Sequence, residues 1–592
     1  QVLQTSSPFA QWCVLFTGSP AILQRKTVGF SDASIGCRHL PAVHSAKPTI
    51  DGKRLHIGHL LNFSPDANIV SESANKKVGI HRFVSLFCTI MNLTSFPDSQ
   101  ALLDWPQVES HIVQAAEAFE RYRSYPVSRR IDFLRQIGVE IAAVRTELTE
   151  ACHAETHLPH GRLQGEIDRT INQINLFASL LEEGSWVNAI IDTADPQRIP
   201  LPKPDIRQIQ LPIGPVCVYG ASNFPFAFSV AGGDTISALA AGCPVLYKVH
   251  MGHPHTSRLV SGCIERAMNQ LDIPDGVFAS LNIVSRDVGV RLVMHPSVKA
   301  VAFTGSFAGG KALYDAAARR PDPIPVYAEM GSVNPVFLLP DRLKHHTEAT
   351  ATALVASNTL GAGQFCTNPG LLFMLKSPEA ERFLSVYAEL LADQVSHTML
   401  TPGIYRAFSD GVQRLKSFGG IGVLGEGKDS GQPEAAIPVA FRVSGSDFLS
   451  SEPLREECFG PASIHVVAED EAQLTEIAKS LDGQLTSSVW CTDGDIGSFG
   501  SLFRILEHKA GRLIVNGAPT GVEVCHAMVH GGPFPATTDA RSTSVGTQAI
   551  YRFTRPVSYQ NFPEQLLPLE LRQQNTSGIW RKVDGEWTKK PL

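Results

Sequence analysis

A thiol, a carboxylate and a carboxamide stand out in this chain of 592 residues because each lies where the backbone turns. Cys366 occupies the glycine-rich segment "NTLGAGQFCTNPG" (358–370), between a helical pattern and the strand-like run "GLLFML". A thiol in such a turn can be exposed and activated as a nucleophile. A free cysteine is otherwise a small buried hydrophobe, the reading that suits Cys217 and Cys243 in or beside apolar runs. Glu329 ends the apolar run of "PVYAEMG". A carboxylate there is solvated, caps a helix, or is held at a strand end as a general base. Asn223, in "GASNFPFAF", is a turn residue whose amide can also donate to an oxyanion.

The loop "FTGSFAGGKA" (303–312) offers Gly305, Ser306, Gly310 and Lys311 after a strand-like run. Their spacing matches G-x-x-x-x-G-K of phosphate-cradling loops, but Ala312 stands where magnesium needs a Ser or Thr hydroxyl. Three readings follow: a ligand-free tight turn, a nucleotide hydrolase, and a dinucleotide lying against a helix start. The last is preferred, because it suits a doubly wound sheet. Cys152, His153, His157 and His160 have spacing that zinc could use, yet they continue an amphipathic helix into a proline turn. His250, His253 and His255 fall in a loop after a strand, where polar residues are ordinary. No metal is expected.

These groups need a scaffold, and the chain supplies one. From Trp105 to Glu182 apolar residues recur three and four apart, as in "VESHIVQAAEAFERYR", predicting helices. A proline-rich stretch from Asp195 to Pro212 breaks them. Then "PVCVYG", "PVLYKV", "FASLNIV" and "KAVAFTG" alternate with helical segments, predicting βαβ units and a parallel sheet. A second α/β stretch runs from Pro325 to about Gly532 through "NPVFLL", "GLLFML", "SIHVVA" and "RLIVNG". The expected fold class is α/β.

Composition removes several classes. With 43% hydrophobic and 18% charged residues and a net charge of −6, the chain is neither disordered nor built for nucleic acid. Its 11 cysteines form no CxxC pairs, which argues against a disulfide scaffold and for a reducing, cytoplasmic setting. No stretch reads as a signal peptide or membrane span. Residues 1–99 carry no sustained pattern, and no methionine precedes Met91, so this part is expected to be an atypical N-terminal segment.

The motifs "ASNFP" (221–225), "KVH" (248–250), "FTGS" (303–306), "AEMG" (328–331), "GQFCTNPG" (363–370) and "EECFGP" (456–461) together resemble the aldehyde dehydrogenase superfamily in order and approximate spacing. The resemblance covers about 105–563. The segment 530–561 resembles the branch that oxidises 2,5-dioxopentanoate (α-ketoglutaric semialdehyde), with a bacterial fatty-aldehyde branch as the alternative. Ser332, Val333 and Ser222, which depart from the wider superfamily, fit that branch. The resemblance implies an NAD(P)-binding Rossmann-type domain over 100–328, interrupted by a bridging segment at 198–213. It further implies a catalytic domain over 329–530, and a bridging and oligomerisation segment with a C-terminal tail over 531–592. It also implies roles. Cys366 would attack an aldehyde and pass through a thioester. Asn223 and the Cys366 backbone N–H would hold the oxyanion, and Glu329 would activate water. Lys248 would reach the adenosine ribose or its phosphate, and Gly305, Ser306 and Gly310 would lie beside the pyrophosphate. Glu457 would bind the nicotinamide ribose with Phe459 nearby, and Arg286 would meet a 2′-phosphate, favouring NADP over NAD. His530 matches a histidine near the catalytic centre. Phe224, Phe226, Phe228 and Phe365 are expected along a substrate tunnel, with Arg541 a candidate for the substrate's carboxylate. A homo-oligomer, dimer or tetramer, is expected.

Overall fold

The computed structural model describes residues 102–592; the segment 1–99 lies outside the described residues. The helical periodicity becomes four helices, α1 (Trp105–Tyr122), α2 (Val127–Ala143), α3 (Arg145–Thr156) and α4 (His160–Glu183). Asp104 and Gln107 close a capping box at the start of α1, satisfying amides that the first turn cannot. Gly184, at φ 81°, ends α4 in the left-handed conformation that glycine accepts without strain. Two short strands follow, β1 (Ile190–Asp192) and β2 (Ile206–Pro212).

The expected alternation then appears as β3 (Val216–Tyr219), α5 (Gly233–Ala241), β4 (Val245–Lys248), α6 (Pro254–Gln270) and β5 (Phe278–Leu281), continuing through α7 (Arg286–Met294), β6 (Ala300–Thr304), α8 (Phe307–Ala318) and β7 (Val326–Glu329). These strands form an all-parallel sheet in the order β5-β4-β3-β6-β7. Strand order reverses between β3 and β6, so a crevice opens beyond their carboxyl ends.

The chain then enters a second sheet through β8 (Val336–Leu338), α9 (Pro340–Thr359), β9 (Leu371–Leu375), β10 (Gly422–Glu426), β11 (Val439–Ser444), β12 (Ala462–Ala468), β13 (Gln484–Trp490) and β14 (Ala510–Val515). Its order is β10-β11-β12-β9-β8-β13-β14, parallel except for β10 against β11. Three of its strands, β10, β11 and β13, were not apparent from periodicity. In β13 the run "QLTSSVW" looks like a loop, yet every residue is buried. Thr486 donates to Asn334 Oδ1 and Ser487 to the Pro335 carbonyl, which removes the cost of burying those hydroxyls.

A third sheet joins β1 and β2 to β15 (Thr554–Gln560), β16 (Arg581–Val583) and β17 (Glu586–Thr588), in the order β15-β2-β1-β16-β17. No helix among the described residues is long and apolar enough to cross a membrane.

Candidate active site

The carboxyl end of the first sheet meets the amino end of the second. Glu329 is the last residue of β7, and the chain runs on through Ser332 and Asn334 into β8. Cys366 lies just before β9, which pairs directly with β8. Nucleophile and carboxylate therefore approach from two sheets joined by a few residues.

The loop carrying Cys366 is held from below. Asn334 Nδ2 donates to the carbonyls of Cys366 (2.8 Å) and Asn368 (2.9 Å), and Gln484 Oε1 accepts from the Val333 amide at 2.9 Å. Gly361, Ala362 and Gly363 take successive left-handed conformations, with φ of 55°, 55° and 65°. At Gly363 the turn allows no side chain. A Cβ there would stand 2.3 Å from the Gly460 carbonyl carbon, in the segment carrying Glu457 and Phe459.

Around the thiol four side chains form a chain of contacts. Cys366 Sγ lies 3.4 Å from His530 Nε2, which is 3.1 Å from Glu329 Oε1. Ser544 donates to Glu329 Oε2 at 2.8 Å. His530 and Glu329 are almost wholly buried, and His530 Nδ1 has no hydrogen-bond partner. Nε2 is the ring nitrogen placed to donate to the Glu329 carboxylate. Burial opposes ionisation of Glu329, but His530, Ser544 and Cys366 outweigh it and hold the carboxyl below its ordinary value. Burial pushes the Cys366 thiol well up, and Glu329 adds to the rise by charge and hydrogen bond, with Arg169 opposing. The resting pair is thus a carboxylate beside a protonated thiol. The ligand atoms of Glu329, Cys366 and His530 lie within 4.8 Å of one another, which a metal ion could also span. The same proximity serves proton transfer among the three without any ion.

Asn223 is buried, and its Nδ2 donates to the Gln364 carbonyl at 3.1 Å. That bond uses one amide hydrogen and leaves the other for a ligand beside Cys366.

Sequence reasoning missed Ser544, Asn334 and two arginines on α4. Arg162 donates to the Asn223 carbonyl at 2.6 Å and lies over the rings of Phe224 and Phe365. Arg169 lies over Phe224 and Phe228. Phe228 in turn packs edge-on to His530, with ring centroids 5.8 Å apart. Phe224, Phe228 and Phe365 thus pack in one cluster beneath the two guanidiniums. Phe226 does not; it is buried in the main core. Arg541 is also corrected: its side chain is 92% exposed and pairs with Asp539 in the same turn.

Lys248, Arg286 and residues 305–310, expected to hold a cofactor, lie along the first sheet's carboxyl edge, while Glu457 and Phe459 come from the segment before β12. Lys248 pairs in register with Leu281, so Arg286 follows at the same end of the neighbouring strand. Ser306 caps α8, accepting from the Gly309 amide, and residues 305–308 are exposed. A Cβ on Gly305 or Gly309 would strike the Phe303 ring within 3 Å, so the backbone at the helix start lies bare. Glu457 and Phe459 line a narrow cavity of about 20 Å³ with Ser332 and Phe365. A bare helix start beside a basic residue at a strand end fits a dinucleotide's phosphates. Lys311 does not serve a hydrolase, since both Asp315 carboxylate oxygens take its ammonium at 2.7 Å.

A model of the aldehyde dehydrogenase family matches residues 99–533. The chain belongs to this family. As an aldehyde dehydrogenase it is an NAD(P)-dependent oxidoreductase that converts an aldehyde to the acid. It is 48% identical over 479 residues to alpha-ketoglutaric semialdehyde dehydrogenase 2 of Azospirillum brasilense, covering 81% of this chain and 91% of that protein. It is 44% identical over 506 residues to alpha-ketoglutaric semialdehyde dehydrogenase of Acinetobacter baylyi, covering 85% of this chain and 95% of that one. Among solved structures, a glyceraldehyde-3-phosphate dehydrogenase from Methanocaldococcus jannaschii, complexed with NADP, superposes with a TM-score of 0.66 at 20% identity. That match covers 79% of this chain and 96% of the other, and it supports the fold.

Proposed function

We propose that this aldehyde dehydrogenase oxidises 2,5-dioxopentanoate to 2-oxoglutarate, with NADP as its preferred cofactor. The contact chain Cys366–His530–Glu329–Ser544 carries the reading, and the two semialdehyde dehydrogenases support the substrate. An aromatic space carrying two guanidiniums also suits an acidic aldehyde better than a fatty one.

Cys366 loses its proton toward Glu329 and attacks the aldehyde carbon, forming a C–S bond while the carbonyl π pair moves to oxygen. The free Asn223 amide hydrogen and the Cys366 backbone N–H receive that oxyanion; one such donor is typically worth about 3–4 kcal/mol. Bound NADP supplies the hydride acceptor that turns this adduct into a thioester. Glu329 releases that first proton to solvent and, again a carboxylate, takes one from water, whose oxygen attacks the thioester carbon; this second proton passes to the departing Cys366 thiolate. The C–S bond breaks, the acid leaves and the thiol is restored. His530 keeps the carboxylate oriented between these two duties.

Lys248, Arg286, Gly305, Ser306, Gly310, Glu457 and Phe459 are the residues we assign to the dinucleotide. Arg286 is exposed at the first position of α7, where the helix dipole disfavours a cation. A 2′-phosphate would offset that cost, since guanidinium and helix start both favour an anion. We further assign 100–328, apart from 198–213, to cofactor binding, 329–530 to catalysis, and 531–592 to bridging and oligomerisation. The free thiols among the described residues support a cytoplasmic setting.

One panel tests the reading: initial rates for 2,5-dioxopentanoate, succinic semialdehyde and a long-chain aldehyde, each with NADP and NAD. The expected order places 2,5-dioxopentanoate with NADP first, and Cys366→Ala abolishes every rate. A preference for the long-chain aldehyde, or turnover surviving in the Cys366 variant, would overturn it.

A further inference from the structure

Arg169 makes no hydrogen bond or ion pair among the described residues. Its Nη1 is buried without a hydrogen-bond partner, and among the described residues the guanidinium of this partly exposed residue lies over the faces of Phe224 and Phe228. Burial lowers its pKa, and the charges of Glu166, Cys366, Glu523 and Glu329 act in the other direction, though none of these groups makes an ion pair with it. A guanidinium removed from water without an anion is costly, and a chain retains one only where something offsets the desolvation. Glu166, one turn away on the same helix face, does not do so. Its Oε1 accepts from the Phe226 and Ala227 amides, and its Oε2 has no partner.

Arg162 differs from Arg169 in one respect. Both lie over Phe224, with guanidinium carbons 5.1 and 5.9 Å from the ring centroid, but Arg162 already donates to the Asn223 carbonyl. It is a positioning residue for the oxyanion amide, while Arg169 is free to meet a ligand.

The location decides which ligand. A single phenyl ring, Phe228, separates the Arg169 guanidinium from His530, the side chain that touches the nucleophile. An aldehyde carbon at Cys366 with a carboxylate four bonds away spans about 5 Å when extended. The aromatic walls supply apolar contact for the intervening methylenes but no acceptor for the guanidinium. We propose that Arg169 is the subsite for the substrate's carboxylate, receiving it through charge-assisted hydrogen bonds across the Phe224–Phe228 faces and so selecting short acidic aldehydes. This rests on the proposed function for its substrate and goes beyond it in naming the residue that recognises the acid group. The restraint is electrostatic and forked, so a lysine would reproduce the charge and lose the paired donors.

The test compares Arg169→Met and Arg169→Lys with the wild-type enzyme on 2,5-dioxopentanoate, succinic semialdehyde and pentanal. The readout is the ratio of kcat/KM for each acidic aldehyde to that for pentanal. Using a ratio cancels any general effect on the thiol, whose ionisation Arg169 favours. The expected result is a fall of about 100-fold in the ratio for the methionine variant, carried mainly by KM, and a smaller fall for the lysine variant. An unchanged ratio in the methionine variant overturns the subsite while leaving the proposed substrate in place. If wild-type enzyme prefers succinic semialdehyde and the ratio still falls, the proposed substrate fails and the subsite stands. A wild-type enzyme that prefers pentanal to both acids overturns both.

Discussion

At Cys366 the protein holds a nucleophile back until substrate is present. The thiol lies well above its ordinary pKa, first because of burial and then because the Glu329 carboxylate disfavours a second negative charge beside it. Glu329 lies below its ordinary value and is ionised throughout the neutral range. The sign of the coupling is therefore fixed. Glu329→Gln removes a charge that raises the thiol, so the pH midpoint for alkylation of Cys366 by iodoacetamide should move down. Burial should keep it above that of an ordinary cysteine. The same variant should stall at the thioester, showing a burst of reduced cofactor followed by slow turnover. An unmoved or raised alkylation midpoint would contradict the coupling. Cys366, Glu329 and Asn223 were legible in the sequence because each sits at a turn in a motif. Arg169 was not. On a helix read from its periodicity, an arginine is by default a solvated face, and only the packing of two phenylalanines against it shows otherwise.

At the scale of elements, the catalytic loop depends on backbone geometry that two neighbouring residues meet differently. Gly363 is left-handed at φ 65° and pressed against the Gly460 carbonyl carbon, while Ala362 is left-handed at φ 55° despite its Cβ. Gly363→Ala should destabilise the protein by about 2 kcal/mol or more, since the conformation disfavours alanine and the clash is with backbone. Ala362→Gly should cost nothing or stabilise by up to about 1 kcal/mol. It relieves roughly 1–2 kcal/mol of left-handed strain against about 0.5–1 kcal/mol of added chain entropy. Urea unfolding midpoints check both, and equal losses would remove the geometric argument. The first sheet could be read from sequence almost strand by strand, because parallel strands buried on both faces are continuous apolar runs. The second sheet was half hidden, since β13 buries hydroxyls whose partners come from the segment before β8, far away in sequence. The third was harder still, as β16 and β17 are only three residues each.

At the scale of the whole molecule, two sheets end in edges that nothing among the described residues fully covers. β15 pairs only with β2, and its residues Arg555, Ser558 and Gln560 are exposed. β14 pairs only with β13; Gly531 and Gly532 approach it at Gly511, but Leu513 and Val515 remain 38% and 55% exposed. An open edge carrying exposed apolar side chains is a liability for a lone chain, and covering it with a second copy is one remedy. Pro556 blunts β15 by removing an amide donor, whereas β14 carries no proline along its apolar half. Beside the 531–592 segment assigned to oligomerisation, the expected homo-oligomer should therefore also depend on the β14 edge. Light scattering of the wild-type protein should give a mass at least twice that of the chain, and Leu513→Lys with Val515→Lys should shift it to the monomer. Cys366 lies in the loop before β9, and β8 and β13 stand between that strand and β14. The thiol should then remain open to alkylation in the separated subunits. A monomeric wild-type protein, or an oligomer indifferent to both lysines, would show that this edge is tolerated in isolation.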